Sequence, residues 1–263
     1  MAIRIGIAGI AGRMGRLLVE EVMAAGATLA GGIRRQAGVD PGTDQRTDPW
    51  PIFVDAAALF AASDVVIDFT HAATAAGHAA AAVAAGKPLV LGSSGLNAAQ
   101  EAAVAAAAQQ VPIVYAANFA PGVNLVLALA ERMAAALPGA QYDAEIVEMH
   151  HRQKVDAPSG TAVALGRAVA RGRGTTLDAA GTESGRDGHT GARGTGTIGF
   201  AALRGGQVVG EHTLLFAAAS EHIAISHRSF DRRVYATGAV RAALWADGRA
   251  SGLYDMKHVL GMG

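Results

Sequence analysis

At 263 residues the chain is long enough for one large domain or two smaller ones, each with a true core. Its formal net charge is +0, which gives no electrostatic basis for binding nucleic acid or an anionic membrane surface. It has no cysteine, which excludes disulfides, thiolate catalysis and cysteine-ligated metal sites.

Ile3–Ala8 alternates and is rich in β-branched residues, so it is predicted as a strand. A strand that opens at Ile3 leaves no room for a leader, and we expect a cytoplasmic protein. Gly9-Ile10-Ala11-Gly12-Arg13-Met14-Gly15 follows, and then a helical pattern begins at Leu17, Leu18 and Val22. Strand, glycine turn and helix form the context of a dinucleotide fingerprint, in which glycines let the backbone approach a pyrophosphate at the helix N-terminus. Here Ala11 stands where the usual second glycine would be, and a plain tight turn in any α/β protein is the competing reading. Thr28–Ile33 reads as a second strand, with a polar loop over Arg34–Pro51.

Further strands are predicted at Val65–Phe69, Leu89–Leu91 and Ile113–Ala116. Helices are predicted at Ala72–Ala85, ended by Gly86, and at Ala98–Gln110. Strands alternating with helices of this length imply a doubly wound parallel sheet, whose ligands bind at the carboxyl ends of the strands. Asp68-Phe69-Thr70, Gly92–Gly95 and Ala116–Phe119 fall at such ends. Ala102–Ala130 has no charged residue, but Pro112, Asn118, Pro121, Gly122 and Asn124 interrupt it, so no membrane span is expected.

From residue 143 the character changes. Ala144–Glu148, Thr197–Leu203, Gln207–Phe216 and Glu221–His227 are strand-like with few helices between the later ones, so antiparallel pairing is expected. Gly181–Gly196 is predicted as a long loop and Thr237–Trp245 as a helix. Between these segments, Glu148–Thr161 places His150, His151 and Lys154 just before Pro158-Ser159-Gly160-Thr161. The latter reads as a turn and N-cap that opens a helix over Ala162–Ala170. First-turn N–H groups lack internal partners and attract carboxylate or phosphate. Two imidazoles and an ammonium beside such an end suit the holding of a small acid and the movement of protons on it. Taken singly, Lys154 also reads as a solvated surface group, and the histidines as structural groups at a strand end. His71, His78, His189, His212, His222, His227 and His258 show no ligand spacing, and no metal is expected.

The block Glu148–Thr161, the opening Ala8–Gly15, and Gly92–Gly95 together resemble the bacterial dihydrodipicolinate reductase family. Ala116–Phe119, Gly194–Phe200, Gly210–His212 and Gly238–Trp245 resemble it too, in collinear order over nearly the whole chain. The resemblance implies an N-terminal Rossmann-like domain over residues 1–121, completed by 232–263. It also implies an α+β substrate and oligomerisation domain over 122–231, built on a largely antiparallel sheet. It implies NAD(P)H-dependent reduction of 4-hydroxy-tetrahydrodipicolinate to tetrahydrodipicolinate on the route to diaminopimelate and lysine. By the same resemblance, His150 is a proton donor or acceptor and Lys154 a proton donor, while His151, Ser159, Gly160 and Thr161 bind substrate. Gly9, Ile10, Ala11, Gly12, Arg13 and Met14 then contact coenzyme, as do Arg34, Arg35, Gly92, Ser93, Ser94, Ala116, Ala117, Asn118 and Phe119. The family also implies a homotetramer.

Five positions depart from the family pattern. Arg34 and Arg35 follow the second strand, where many members carry an acidic residue and then arginine. Two guanidiniums there favour the 2′-phosphate of NADPH over the ribose hydroxyl of NADH. Ser93-Ser94 replaces a threonine pair, Ala120 a serine and Gln153 a histidine. Two other readings are weighed against a reductase of this family. A different two-domain NAD(P)-dependent dehydrogenase, acting on a sugar or amino acid, leaves the His-His-Arg-x-Lys block unexplained. A catalytically silent nucleotide-sensing module would be favoured by a degraded Lys154 region.

Overall fold

The computed structural model describes residues 2–34 and 49–262. Arg35 and most of the loop predicted at Arg34–Pro51 lie outside the described residues. The chain forms two compact units, one of residues 1–121 with 233–263 and the other of residues 122–232.

The first unit is built on six strands: β1 (Arg4–Ala8), β2 (Thr28–Ile33), β3 (Val65–Asp68), β4 (Leu89–Leu91), β5 (Pro112–Tyr115) and β11 (Gly252–Tyr254). Their order is β11-β5-β4-β3-β1-β2, and every pairing is parallel. The chain runs from β1 to β2 on one side and to β3 on the other, so the topological switch point lies between β1 and β3. Alternation along each strand feeds a core on either face of the sheet. Ile5, Ile7, Val65, Ile67, Val90 and Val114 pack with α1 (Arg13–Ala24) and α8 (Arg233–Ala246). Val66, Leu89, Leu91 and Ile113 pack with α2 (Ala56–Ala62), α3 (Ala72–Ala85) and α4 (Ala98–Ala108).

Local chemistry sets the helix ends. Asn97 and Gln100 form a capping box at the start of α4, each side chain accepting from the other residue's N–H at 2.9 Å. Gly86 ends α3 in the left-handed conformation. The seven-residue α2 is absent from the sequence expectation, although Asp55 before an alanine run is an N-cap signal and accepts from the Ala58 N–H at 2.9 Å. Short β11 and α9 (Met256–Val259) were likewise not anticipated, being too brief to show a period. The C-terminal segment belongs to this first unit.

The second unit holds α5 (Pro121–Ala136, from Gly122 on), β6 (Asp143–His150), α6 (Gly160–Gly172), α7 (Leu177–Ala180) and β7 (Thr182–Ser184), followed by β8 (Ile198–Arg204), β9 (Gly210–Ala217) and β10 (His222–Ser229). Its sheet order is β10-β9-β6-β8-β7. β10-β9 and β9-β6 are antiparallel, while β6-β8 and β8-β7 are parallel, so the sheet is mixed. The parallel half arises because the β6–β8 connection carries α6, α7 and β7. Such a connection is long enough for a crossover; the helix over Ala162–Ala170 was expected from the sequence, but the antiparallel expectation followed from the later strands, which few helices separate. Within the stretch predicted as a loop, β7 forms an edge. Arg193 ties the end of that loop to β6, bonding Glu145 at 2.7 Å, Asp143 at 2.9 Å and the Ala144 carbonyl at 2.9 Å.

One face of this sheet does two jobs. Ala144, Ile146, Ile198, Phe200, Leu214 and Phe216 pack under Leu165, Ala168 and Val169 of α6. Further along the same strands, that face presents Glu148, His150, Arg204 and His212, which pair in register across β6, β8 and β9. The period of two along a strand therefore places polar site groups on a continuation of the core.

Candidate active site

In the first unit, the residues expected to contact coenzyme gather at the carboxyl ends of β1, β2, β4 and β5. Gly9 has φ 81°, a conformation L side chains rarely adopt, and its N–H bonds the Ile33 carbonyl at 2.9 Å. Ala11, Gly12 and Arg13 are exposed, whereas the Ile10 side chain is buried in the core and leaves only backbone to a ligand. Gly12 is the N-cap of α1 and supplies no side chain to the first-turn N–H groups. Gly15 is packed so closely on the Gly9 and Ile10 carbonyls that a Cβ would collide with them. Ser93 is buried, and its hydroxyl has no partner. The Asn118 side chain accepts from the Ala120 N–H at 2.8 Å and shapes the turn before Phe119, whose ring is core. Arg34 is exposed just past β2. An uncapped helix start beside a glycine turn, with a buried unpartnered hydroxyl just past β4 of the same sheet, fits an anionic dinucleotide.

The second unit brings His150, His151, Lys154, Ser159, Gly160 and Thr161 together at the end of β6 and the start of α6. The organising group is Glu148, only 1% exposed. A buried carboxylate is tolerated only when fully partnered. Arg204 grips it with two prongs, Nη1 to Oε2 at 2.9 Å and Nη2 to Oε1 at 2.8 Å. His150 Nδ1 meets Oε2 at 2.6 Å, and the Ser159 N–H donates to Oε1 at 3.1 Å. Burial alone would raise the Glu148 pKa, but the bonds from Arg204, His150 and Ser159 more than offset it and hold the group below its ordinary value.

His150 is pushed the other way. Its burial lowers the imidazole pKa despite the pull of Glu148, and the nearby charges of Lys154 and Arg204 add to the lowering. Facing an ionised Glu148, the neutral ring donates from Nδ1, which leaves the Nε2 lone pair as its working atom. That Nε2 lies over Gly210, the first residue of β9, where a Cβ would approach to 3.0 Å. His212 stands edge-on to the His150 ring at 5.1 Å and meets the Ser159 hydroxyl through Nε2 at 3.0 Å. Burial, reinforced by His150, pushes its pKa down to about 4.

Ser159 serves three elements at once. Its N–H anchors Glu148, its hydroxyl meets His212, and the same oxygen accepts from the Ala162 N–H at 3.2 Å to cap α6. Beside it, Gly160 is exposed, and an added Cβ there would meet nothing within 4 Å. His151 Nδ1 is buried without a partner. Lys154 pairs with the exposed Asp156 at 2.8 Å. Sequence reasoning missed Arg204 and gave His212 no role. Glu148 two residues before His150 on a strand was a usable signal, because it puts both on one face. Arg204 and His212 arrive only through strand register. Among the described residues, no group of three or more His, Asp or Glu side chains is arranged to hold a metal ion.

Two family models match in tandem, dihydrodipicolinate reductase N-terminus over residues 3–119 and dihydrodipicolinate reductase C-terminus over residues 122–260. The chain belongs to the dihydrodipicolinate reductase family. A 4-hydroxy-tetrahydrodipicolinate reductase of Granulibacter bethesdensis is 63% identical over 99% of this chain and 98% of its own. One from Gluconacetobacter diazotrophicus is 61% identical over the same shares. Among solved structures, the dipicolinate-bound dihydrodipicolinate reductase from Paenisporosarcina sp. TG-14 is 25% identical. It superposes with a TM-score of 0.81, covering 97% of this chain and 98% of its own. Family membership and the Rossmann-like unit together imply a nicotinamide cofactor.

The buried histidines make a pH prediction with a definite sign. In the unfolded chain His212 titrates near its ordinary 6.5, and in the fold at about 4, so its stabilising contribution is full above 6.5 and is lost as pH falls toward 4. Between pH 7 and pH 5 this one group should cost about 2 kcal/mol of stability. Urea unfolding at the two pH values should show that drop in the parent protein and a clearly smaller one in His212→Gln. An equal drop in both would show that His212 is not held neutral.

Proposed function

We propose that the protein catalyses NAD(P)H-dependent reduction of 4-hydroxy-tetrahydrodipicolinate to tetrahydrodipicolinate, a step toward diaminopimelate and lysine. The reading is carried by the Glu148–His150 pair with Lys154 and the Ser159-capped helix start, the block that sets this family apart from other dinucleotide enzymes. In this reading residues 1–121 with 232–263 bind the coenzyme, and residues 122–231 bind the dicarboxylate. The reduced nicotinamide supplies a hydride; the reaction also consumes one proton, and the hydroxyl leaves as water.

Each residue has a distinct task. Lys154, an ammonium restrained beside the histidines, donates a proton to the ring as charge develops there. His150 takes up or returns a proton at Nε2, while the Glu148 carboxylate fixes its tautomer and stabilises the imidazolium that forms. His151 and the start of α6 at Ser159, Gly160 and Thr161 hold substrate carboxylates, with open space at Gly160 to admit an oxygen and the unpartnered His151 Nδ1 to meet one. The relative that binds dipicolinate supports a ring with two carboxylates as ligand. In the first unit Gly9–Met14, Gly92, Ser93, Ser94 and Ala116–Phe119 hold the dinucleotide. Arg34, with Arg35 beyond the described residues, pairs with the 2′-phosphate of NADPH.

The open face of the second sheet supports a homotetramer. Val147 is 39% and Leu203 51% exposed, and register places them with Met149, Ala201 and Leu215 on the side away from α6. Exposed apolar side chains grouped on a sheet face, here beside Glu145, Thr213 and Glu211, mark an association surface. Light scattering should give a tetramer for the parent chain and smaller species for Leu203→Glu. An unchanged tetramer in the variant would place the interface elsewhere.

Coenzyme oxidation with freshly generated 4-hydroxy-tetrahydrodipicolinate tests the activity directly, and no turnover with either coenzyme would overturn it. Lys154→Ala should lower kcat by about a hundredfold or more, the usual worth of a positioned proton donor, while coenzyme affinity holds. Near-normal turnover in that variant would remove Lys154 from the chemistry. NADPH should exceed NADH in kcat/KM by about tenfold to a hundredfold, as a charge-assisted pair allows. Equal values would show that the arginines point elsewhere.

A further inference from the structure

The first unit contains a second buried carboxylate that the proposed chemistry does not use. Asp68 ends β3 at the topological switch point, register-paired with Ala8 of β1 and Leu91 of β4, and is 0% exposed. Its Oδ1 accepts from the Thr70 N–H at 2.8 Å and from the Thr70 hydroxyl at 2.5 Å. Its Oδ2 meets Nδ1 of His78, a buried residue of α3, at 2.7 Å. Thr70 is tied in turn to Thr74 of α3, the two hydroxyls lying 2.7 Å apart. The segment after β3 is therefore pinned to the first turns of α3 by a buried hydrogen-bonded knot, where a loop could have sufficed.

What that segment touches gives the knot its purpose. The Thr70 methyl lies against Gly9, where a Cβ would come within 2.9 Å of it. The Phe69 ring covers Gly92, leaving no room for a Cβ, and it tilts against Phe119 with centroids 5.3 Å apart. Phe69 and Thr70 thus form the common wall of three separate turns: the one after β1, the one after β4 and the one after β5. These are the turns that the reductase reading assigns to the coenzyme.

We propose that Asp68 and His78 are positioning residues for the nicotinamide coenzyme, acting through Thr70 and Phe69 to set the spacing of the three turns; the proposal rests on the reductase reading above. A dinucleotide spans several strand ends and needs them in mutual register. A buried charge with directional partners holds such a wall more tightly than apolar packing, because any slippage leaves the carboxylate unpartnered. The wall belongs to the first unit, so its loosening should be felt by the coenzyme and not by the dicarboxylate.

Calorimetry on the full-length protein, with NADPH and with pyridine-2,6-dicarboxylate as separate probes, tests this. His78→Leu removes the donor to Oδ2, and Thr70→Val removes the hydroxyl to Oδ1. Each should weaken NADPH binding by about tenfold or more, the usual worth of one hydrogen bond to a buried carboxylate. Dicarboxylate affinity of the coenzyme-free protein should stay within about twofold. His78→Asn, whose amide N–H can replace the Nδ1 donor, should recover most of the coenzyme affinity. If His78→Leu does not fold, Thr70→Ser carries the test: it keeps the hydroxyl on Asp68 but removes the methyl from Gly9, and should weaken NADPH alone by a few-fold. Equal weakening of both probes, or lower thermal stability with unchanged NADPH affinity, would make the knot a general stabiliser and overturn the proposal. A parent protein that binds neither NADPH nor NADH would instead bring down the reductase reading, and this proposal with it.

Discussion

The second unit depends on the ionised Glu148 carboxylate, shut away from water and satisfied from three places in the chain. His150 comes from the same strand, the Ser159 N–H from the mouth of α6, and Arg204 from the neighbouring strand. Removing one partner of a buried ion pair typically costs about 3–5 kcal/mol, since the remaining charge is left uncompensated. The same constraint that makes the cluster costly to disturb makes it exact. The tautomer of His150, the start of α6 and the β6–β8 register are all consequences of satisfying one carboxylate. Arg204 extends this hold, since its guanidinium also bonds the Asp156 carbonyl at 2.6 Å and so restrains the loop that carries Lys154.

The two units solve similar problems by similar means. In each, an acidic side chain near a strand's carboxyl end is buried against a histidine Nδ1, Asp68 with His78 and Glu148 with His150. Around Glu148 the histidine is held by Nδ1, which leaves its Nε2 free of the carboxylate and suits the proton-handling role proposed for it. Around Asp68 the histidine sits on a helix and the other partner is Thr70, so the pair is proposed to hold a wall. Alanine-rich α3 and α4 bring little burial energy per residue, and the surrounding large apolar side chains come mainly from the strands. Directional polar contacts then do what bulk packing cannot, which is to specify where the turns at the strand ends stand.

Much of the architecture was legible in the chain itself. The β1 alternation, the glycine turn, and the strand–helix succession through Tyr115 announced a parallel doubly wound sheet, because burial on both faces writes periods of two and 3.6 directly into the residues. Ser159 as an N-cap and Gly86 as a helix stop were equally readable, since capping needs particular side chains at particular places. Short elements such as α2, β7 and β11 were not, since a few residues carry no period.

By itself, then, the sequence determined the fold class of the first unit, the family, and the local grouping of His150, His151 and Lys154 before the Ser159-capped helix. Those depend on local spacing, which the covalent chain dictates. Only the tertiary structure decided that the second sheet is mixed, that Arg204 and His212 join Glu148, and that Phe69 and Thr70 wall three turns at once. Such partners lie 56 and 64 residues from Glu148 and are joined to it by strand register. Register is chosen by the whole sheet's need to bury one face and satisfy its polar groups together, and no local stretch of sequence carries that choice.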